Sequence, residues 1–197
     1  MDAVDRKRVL LIVTGGIAAY KAGDVVRELL REGATVQVVM TRAATEFVTP
    51  MTFEVLSGRP VAVGLFPGTT AGSIDHIRLA RDADVVAIAP ASADFIAKTS
   101  AGIADEVALC ILLALEKHIK VVWFPAMNVE MWSHPLTQRN IASLKALQDG
   151  WHSFEEPVKK TLACGESGQG GLPEPAEVAR RILRALAGEK LKKSGKG

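Results

Sequence analysis

Four strand-like stretches rich in apolar residues, the first of them continuous, are spaced by helical patterns and constrain this chain most. They are Val9–Thr14, Thr35–Met40, Val85–Ala89 and Lys120–Phe124. A strand that is apolar at every position has both faces covered, as in a parallel sheet with helices on each side. Between the first two runs, Ile17 to Glu32 carries Val25, Val26, Leu29 and Leu30 on one face and Arg27, Glu28, Arg31 and Glu32 on the other, with Gly33 as a stop. Further helices are expected over Ala43–Leu56, bent near Pro50, and over Ala104–Lys117, Thr137–Leu147 and Glu177–Leu186. Val61–Leu65 reads as a weaker strand. Strands alternating with helices give βαβ units, hence an α/β fold: a Rossmann-like (flavodoxin-like) parallel sheet with helices on both faces.

Composition agrees and excludes other classes. With 48% hydrophobic residues in 197, the chain can bury a core. At 5% aromatic residues, aliphatic side chains must build that core. Two cysteines, Cys110 and Cys164, are too few for a disulfide scaffold. Neither has ligand spacing to a histidine, so no metal site is expected. Lys190, Lys192, Lys193 and Lys196 outweigh the net charge of +2, leaving −2 for residues 1–189. Nothing global therefore favours nucleic acid, and residues 188–197 read as a basic, disordered tail behind a single domain of residues 1–187. No run reaches the ~18 apolar residues of a membrane span. The basic start before Val9 precedes a buried strand rather than a signal peptide, so a cytoplasmic location is expected.

In such sheets ligands bind outside the carboxyl ends of the strands. Thr14-Gly15-Gly16-Ile17 follows the first strand. Two glycines opening a helix form either an anion-binding ledge or a plain tight turn. The third glycine of a dinucleotide fingerprint is missing, because Ala18 and Ala19 occupy its place. Thr41-Arg42-Ala43 follows the second strand, where a dinucleotide site needs an acid. A hydroxyl, a cation and free amides at a helix start suit a terminal phosphate, although Thr41 also suits an N-cap. Ser92-Ala93-Asp94-Phe95 leaves room for a flat ring or caps a helix. Pro125-Ala126-Met127-Asn128-Val129-Glu130-Met131-Trp132 places one amide among apolar bulk, as in a mostly apolar pocket with one polar anchor. Met127 and Trp132 also suit core filling. Cys164 lies on a glycine-rich flap, 162–175, whereas Cys110 lies in an apolar helix and reads as a core thiol. His76 is a base candidate or a structural histidine, and His118, His134 and His152 read as surface or loop residues.

Together these segments resemble the homo-oligomeric flavin-containing cysteine decarboxylase family. Pro125–Trp132 matches its Pro-x-Met-Asn-x-x-Met-Trp motif, Pro90–Asp94 its Pro-Ala-Ser-Ala-Asn motif, Ala163–Gly170 its substrate flap and Gly15–Lys21 its first phosphate loop. The resemblance covers about residues 8–186. It implies FMN held by Gly15, Gly16, Ile17, Thr41, Arg42, Ala43, Ser92, Ala93, Asp94 and Phe95, with Ala126 against the ring. It implies His76 as base, Asn128 as the anchor for substrate carboxylate or amide, Cys164 as proton donor, and Met131 and Ala163 beside the substrate. The implied activity is decarboxylation of 4'-phosphopantothenoylcysteine to 4'-phosphopantetheine in coenzyme A biosynthesis: thiol oxidation to a thioaldehyde, loss of CO₂ and re-reduction of the enethiol. The implied partners are a phosphorylated small-molecule substrate and further copies of the chain, in a homotrimer or an assembly of trimers, with no nucleic acid or membrane. Two positions depart from the pattern: Asp94 replaces the asparagine, and Gly171 stands where many bacterial members carry arginine. The competing readings are a peptidyl-cysteine decarboxylase of lantibiotic type, a flavin prenyltransferase and a non-catalytic flavin-binding regulator.

Overall fold

The computed structural model describes residues 7–64, 75–148, 150–161 and 167–188. Five parallel strands form one sheet: β1 (Arg8–Val13), β2 (Thr35–Met40), β3 (Val85–Ala91), β4 (Lys120–Pro125) and β5 (His152–Phe154). Their order is β2-β1-β3-β4-β5, the flavodoxin-like arrangement. The order in which strands are added reverses at β1, with β2 on one side and β3 on the other, so the crevice beyond the carboxyl ends of β1 and β3 is the expected ligand position.

Side chains of β1 alternate between two apolar layers. Val9, Leu11 and Val13 pack with Val25, Val26 and Leu29 of α1 (Ala22–Arg31), Phe53 of α3 (Pro50–Ser57), and Val178 and Ile182 of α9 (Pro175–Leu186). Leu10 and Ile12 face the opposite layer, α4 (Asp75–Asp82), α5 (Ala93–Ser100), α6 (Val107–Ala114) and α8 (Pro135–Ala146). Both faces are buried, which is why the strands read as continuous apolar runs.

Several boundaries differ from expectation for local reasons. The Ile17–Glu32 pattern opens with a 3₁₀ turn, Ile17–Lys21, before α1. Ala43–Leu56 divides into α2 (Arg42–Thr45) and α3, because Thr49 before Pro50 is held extended at φ −74°, ψ 146°. The Ala104–Lys117 helix is shorter, since Glu106 is extended and Gly102 adopts φ +69°. The weak strand at 61–65 reduces to one bridge, Val39 to Ala62, with Leu65 outside the described residues. Within the flap segment, β6 (Val158–Thr161) and β7 (Ser167–Gly171) pair antiparallel. The 162–166 segment joining them lies outside the described residues.

His152 is not a loop histidine. It is buried on β5, where its Nδ1 accepts from Trp123 Nε1 at 3.0 Å. Trp123 stacks on Phe154, with ring centroids 5.0 Å apart. Burial pushes the His152 imidazole down to about 4. Cys110 is half-buried rather than a full core thiol, with Sγ 3.4 Å from the Ala104 carbonyl. Burial raises its pKa, so it stays a thiol at neutral pH.

Candidate functional site

The strand ends β1, β2, β3 and β4 gather most of the expected site residues, and backbone bonds fix their relative positions. Thr14, the first residue past β1, is fully buried. Its Oγ1 donates to the Pro90 carbonyl at 2.7 Å and accepts from the Ser92 amide at 2.9 Å. These two bonds tie the loops after β1 and β3 together. Thr41 N donates to Val13 O at 3.1 Å, which ties in the loop after β2. Ala126 N donates to Ala91 O at 3.1 Å, which ties in the loop after β4.

Gly15 is required by contact rather than by dihedral angle. A Cβ there would lie 2.5 Å from Ala43 Cβ, so the first two loops touch only because Gly15 has no side chain. A Cβ on Gly16 would meet nothing within 4 Å, and Ile17 beside it is 61% exposed. Gly16 and Ile17 thus form an open ledge against the buried Thr14. This cradle fits a bound planar phosphate ester: backbone closely packed beneath and open space above.

Both capping readings hold for Thr41 and Ser92. Thr41 Oγ1 accepts from Ala44 N at 3.2 Å, and Ser92 Oγ accepts from Phe95 N at 3.3 Å. The expected free amides at the start of α2 are fewer than the sequence suggests. Arg42 N already donates to Glu106 Oε2 at 2.9 Å, and Ala44 N to Thr41. Glu106 Oε1 also lies 3.8 Å from Lys98 Nζ, which pairs with Asp94 at 3.6 Å and Asp105 at 3.2 Å. The Asp105 contact holds the Lys98 ammonium above its ordinary pKa. Asp94 thus takes an ion pair that an asparagine cannot make.

Asn128 caps the short helix α7 (Val129–Ser133), its Oδ1 accepting from Glu130 N at 2.8 Å. Met127 N donates to Gly170 O at 3.0 Å, so this turn is docked on β7. A Cβ on Gly168 would lie 2.7 Å from Val129 Cγ2, which is the same docking seen from the hairpin side. Met127 and Trp132 are partly buried against the second apolar layer, and Met131 is 48% exposed. Gly171 is buried against Lys160, with a hypothetical Cβ 3.0 Å from Lys160 Cδ, so an arginine in its place would displace that lysine.

His76 lies at the amino-terminal end of α4, half-buried, and no hydrogen bond among the described residues ties it to the strand-end cluster. Ala163 and Cys164 lie outside the described residues. Among the described residues no group of three or more His, Cys, Asp or Glu is placed to hold a metal ion. No helix among them is long and apolar enough to cross a membrane.

Residue-by-residue reading missed Thr14, Glu106 and a second charged group. Lys21 and Lys160 converge on Glu174 at 3.7 and 2.6 Å. Burial, and then the neighbouring Lys160, lower the Lys21 pKa, while Glu174 raises that of Lys160. The one available sequence signal was Lys21, four residues past the exposed Ile17.

A family profile described as Flavoprotein matches residues 2–187. The coenzyme A biosynthesis bifunctional protein CoaBC of Vibrio cholerae is 41% identical over 178 residues, covering 90% of this chain and 43% of that protein. The chain thus spans less than half the length of the bifunctional relatives it matches. A probable phosphopantothenoylcysteine decarboxylase of Streptococcus mutans is 40% identical over 180 residues, 91% of this chain and 99% of that protein. Among solved structures, a Cys-to-Ser mutant of PPC decarboxylase complexed with pantothenoylaminoethenethiol superposes with a TM-score of 0.79 at 29% identity, covering 92% of this chain and 99% of that one. The FMN binding protein AtHal3 superposes with a TM-score of 0.77 at 30% identity, over 94% and 100%. From its sheet order, its strand-end loops and these similarities, the chain belongs to the flavoprotein family that includes the phosphopantothenoylcysteine decarboxylases.

Proposed function

We propose that the chain is an FMN-dependent decarboxylase acting on 4'-phosphopantothenoylcysteine and releasing 4'-phosphopantetheine, a step of coenzyme A biosynthesis. The observation that carries this reading is the double tether of the Pro125–Trp132 turn. Ala126 is bonded to the end of β3 and Met127 to β7. The Asn128 amide is thereby fixed between the strand-end crevice and the hairpin whose joining segment contains Cys164 in sequence. A near-full-length relative with that name supports the substrate.

Gly15, Gly16, Ile17, Thr41, Arg42, Ala43, Ser92, Ala93, Asp94, Phe95 and Ala126 would hold FMN. The open ledge over Gly16 and the packed turn beneath Gly15 support that assignment. Bound FMN supplies the two-electron oxidation of the substrate thiol and its reversal. The protein's own work is placement and proton transfer. Asn128 orients the substrate carboxylate or amide, while Met131 and Ala163 flank the substrate. His76 takes the thiol proton, and Cys164 returns a proton to the enethiol carbon after CO₂ has left.

We read the working form as a homotrimer, or an assembly of trimers, in the cytoplasm. Met51 and Val55, one turn apart on α3, are 69% and 78% exposed, which supports association between copies. Purified protein is expected to show a flavin absorbance spectrum and to release CO₂ from 4'-phosphopantothenoylcysteine. Absence of CO₂ release by the flavin-loaded protein would overturn the reading.

A further inference from the structure

At the opposite end of the sheet, below the amino-terminal ends of β1 and β2, lies a cavity of about 280 Å³. Six residues of β1, at roughly 3.3 Å each, put it about 20 Å from the strand-end crevice. Val9, Leu79 and Ala83 supply apolar walls, and Arg8, Arg59 and Arg78 also line the cavity.

These three cations are held differently. Arg8 is fixed: Nη2 lies 2.6 Å from Asp84 Oδ1, Nε bonds both Asp84 oxygens, and its backbone amide bonds Oδ2 at 2.8 Å. Arg78 shares a loose, exposed pair with Asp82 at 3.5 Å, the sort of contact worth little in water. The Arg59 guanidinium makes no hydrogen bond or ion pair among the described residues. Its backbone is nevertheless fixed. Gly58 turns the chain at φ +67°, Arg59 N donates to Ser57 Oγ at 3.3 Å, and the adjoining Pro60 carbonyl accepts from Gln37 Nε2 at 2.7 Å. Three like charges at one opening repel one another and favour an anion between them. Guanidinium forks match phosphate oxygens in pairs. The volume lies just under the roughly 300–1,000 Å³ of drug-sized ligand sites, so the occupant is small.

We propose that this basal cavity binds a small phosphate monoester. Its phosphate sits on Arg59, with the Arg8 and Arg78 side chains at the same opening, and its organic part lies over Val9, Leu79 and Ala83. This site is separate from the flavin site and does not depend on the decarboxylase reading.

Isothermal titration of flavin-loaded protein at constant ionic strength tests it, with phenyl phosphate and inorganic phosphate as probes. Phenyl phosphate is expected to saturate one basal site per chain and to bind more tightly than inorganic phosphate. Arg59→Gln is expected to weaken phenyl phosphate binding at least about tenfold, leaving flavin absorbance and the unfolding midpoint unchanged. The absence of saturable binding, an affinity unchanged in Arg59→Gln, or release of flavin by the probe would each overturn the proposal.

Discussion

The Thr14 hydroxyl donates to the Pro90 carbonyl and accepts from the Ser92 amide, so one buried oxygen locks the turn after β1 to the turn after β3. These are the two strands that flank the reversal of strand order. Thr14→Val keeps the shape and removes both bonds, leaving the Ser92 amide without its acceptor. The expected loss is about 1–3 kcal/mol in urea unfolding, with weaker flavin retention. Thr14→Ser should restore most of both.

Gly15 and Ala43 are coupled by contact. Gly15→Ala places a methyl group 2.5 Å from Ala43 Cβ and should cost about 1–3 kcal/mol while loosening the cofactor. Gly16→Ala, built into open space, should leave stability nearly unchanged. Combining Gly15→Ala with Ala43→Gly should recover part of the loss, a non-additivity that a double-mutant cycle reads directly.

His152 gives the fold an acid limit. Its folded pKa is about 4 against an ordinary 6.5, so the fold favours the neutral ring. Stability from this group is complete above pH 6.5, is lost as pH falls from 6.5 towards 4, and stays lost below. The expected total is about 3 kcal/mol. Protonating Nδ1 also removes the acceptor for Trp123 Nε1. Denaturant unfolding between pH 4 and 7 should show this slope, and His152→Phe should flatten it.

The flap docks through Gly168. Gly168→Ala would set a methyl group 2.7 Å from Val129 Cγ2 and should slow decarboxylation while flavin content is kept. Val129→Ala in that background should restore turnover. Flavin loss in the single variant would mean that the contact supports the cofactor site instead.

Sequence patterns disclosed the sheet because β1, β3 and β4 are buried on both faces, and such burial leaves runs such as Val85–Ala91. They missed β5 because three residues, His152–Phe154, are too short to show a period. They missed α4, which is only eight residues long, and offered only the Ser92 cap of α5. The glycines, Ser92 and Asn128 were legible because strand ends are the places where such residues are informative. Thr14 was not, because its role depends on Pro90 and Ser92, 76 and 78 residues away. Glu106 was hidden for the same reason, since its partner Arg42 is 64 residues distant.

Two substitutions separate the proton-transfer roles. His76→Asn is expected to bind FMN and fail to release CO₂. Cys164→Ser is expected to release CO₂ and accumulate the oxidised enethiol rather than 4'-phosphopantetheine. Wild-type turnover in either variant would remove that residue from the mechanism.

The most direct measurement is CO₂ and thiol product released by the flavin-loaded protein from 4'-phosphopantothenoylcysteine, run beside a peptide ending in cysteine. The account predicts equal amounts of CO₂ and 4'-phosphopantetheine from the first substrate and little or none from the peptide. Release of CO₂ from the peptide alone, or from neither, would contradict it.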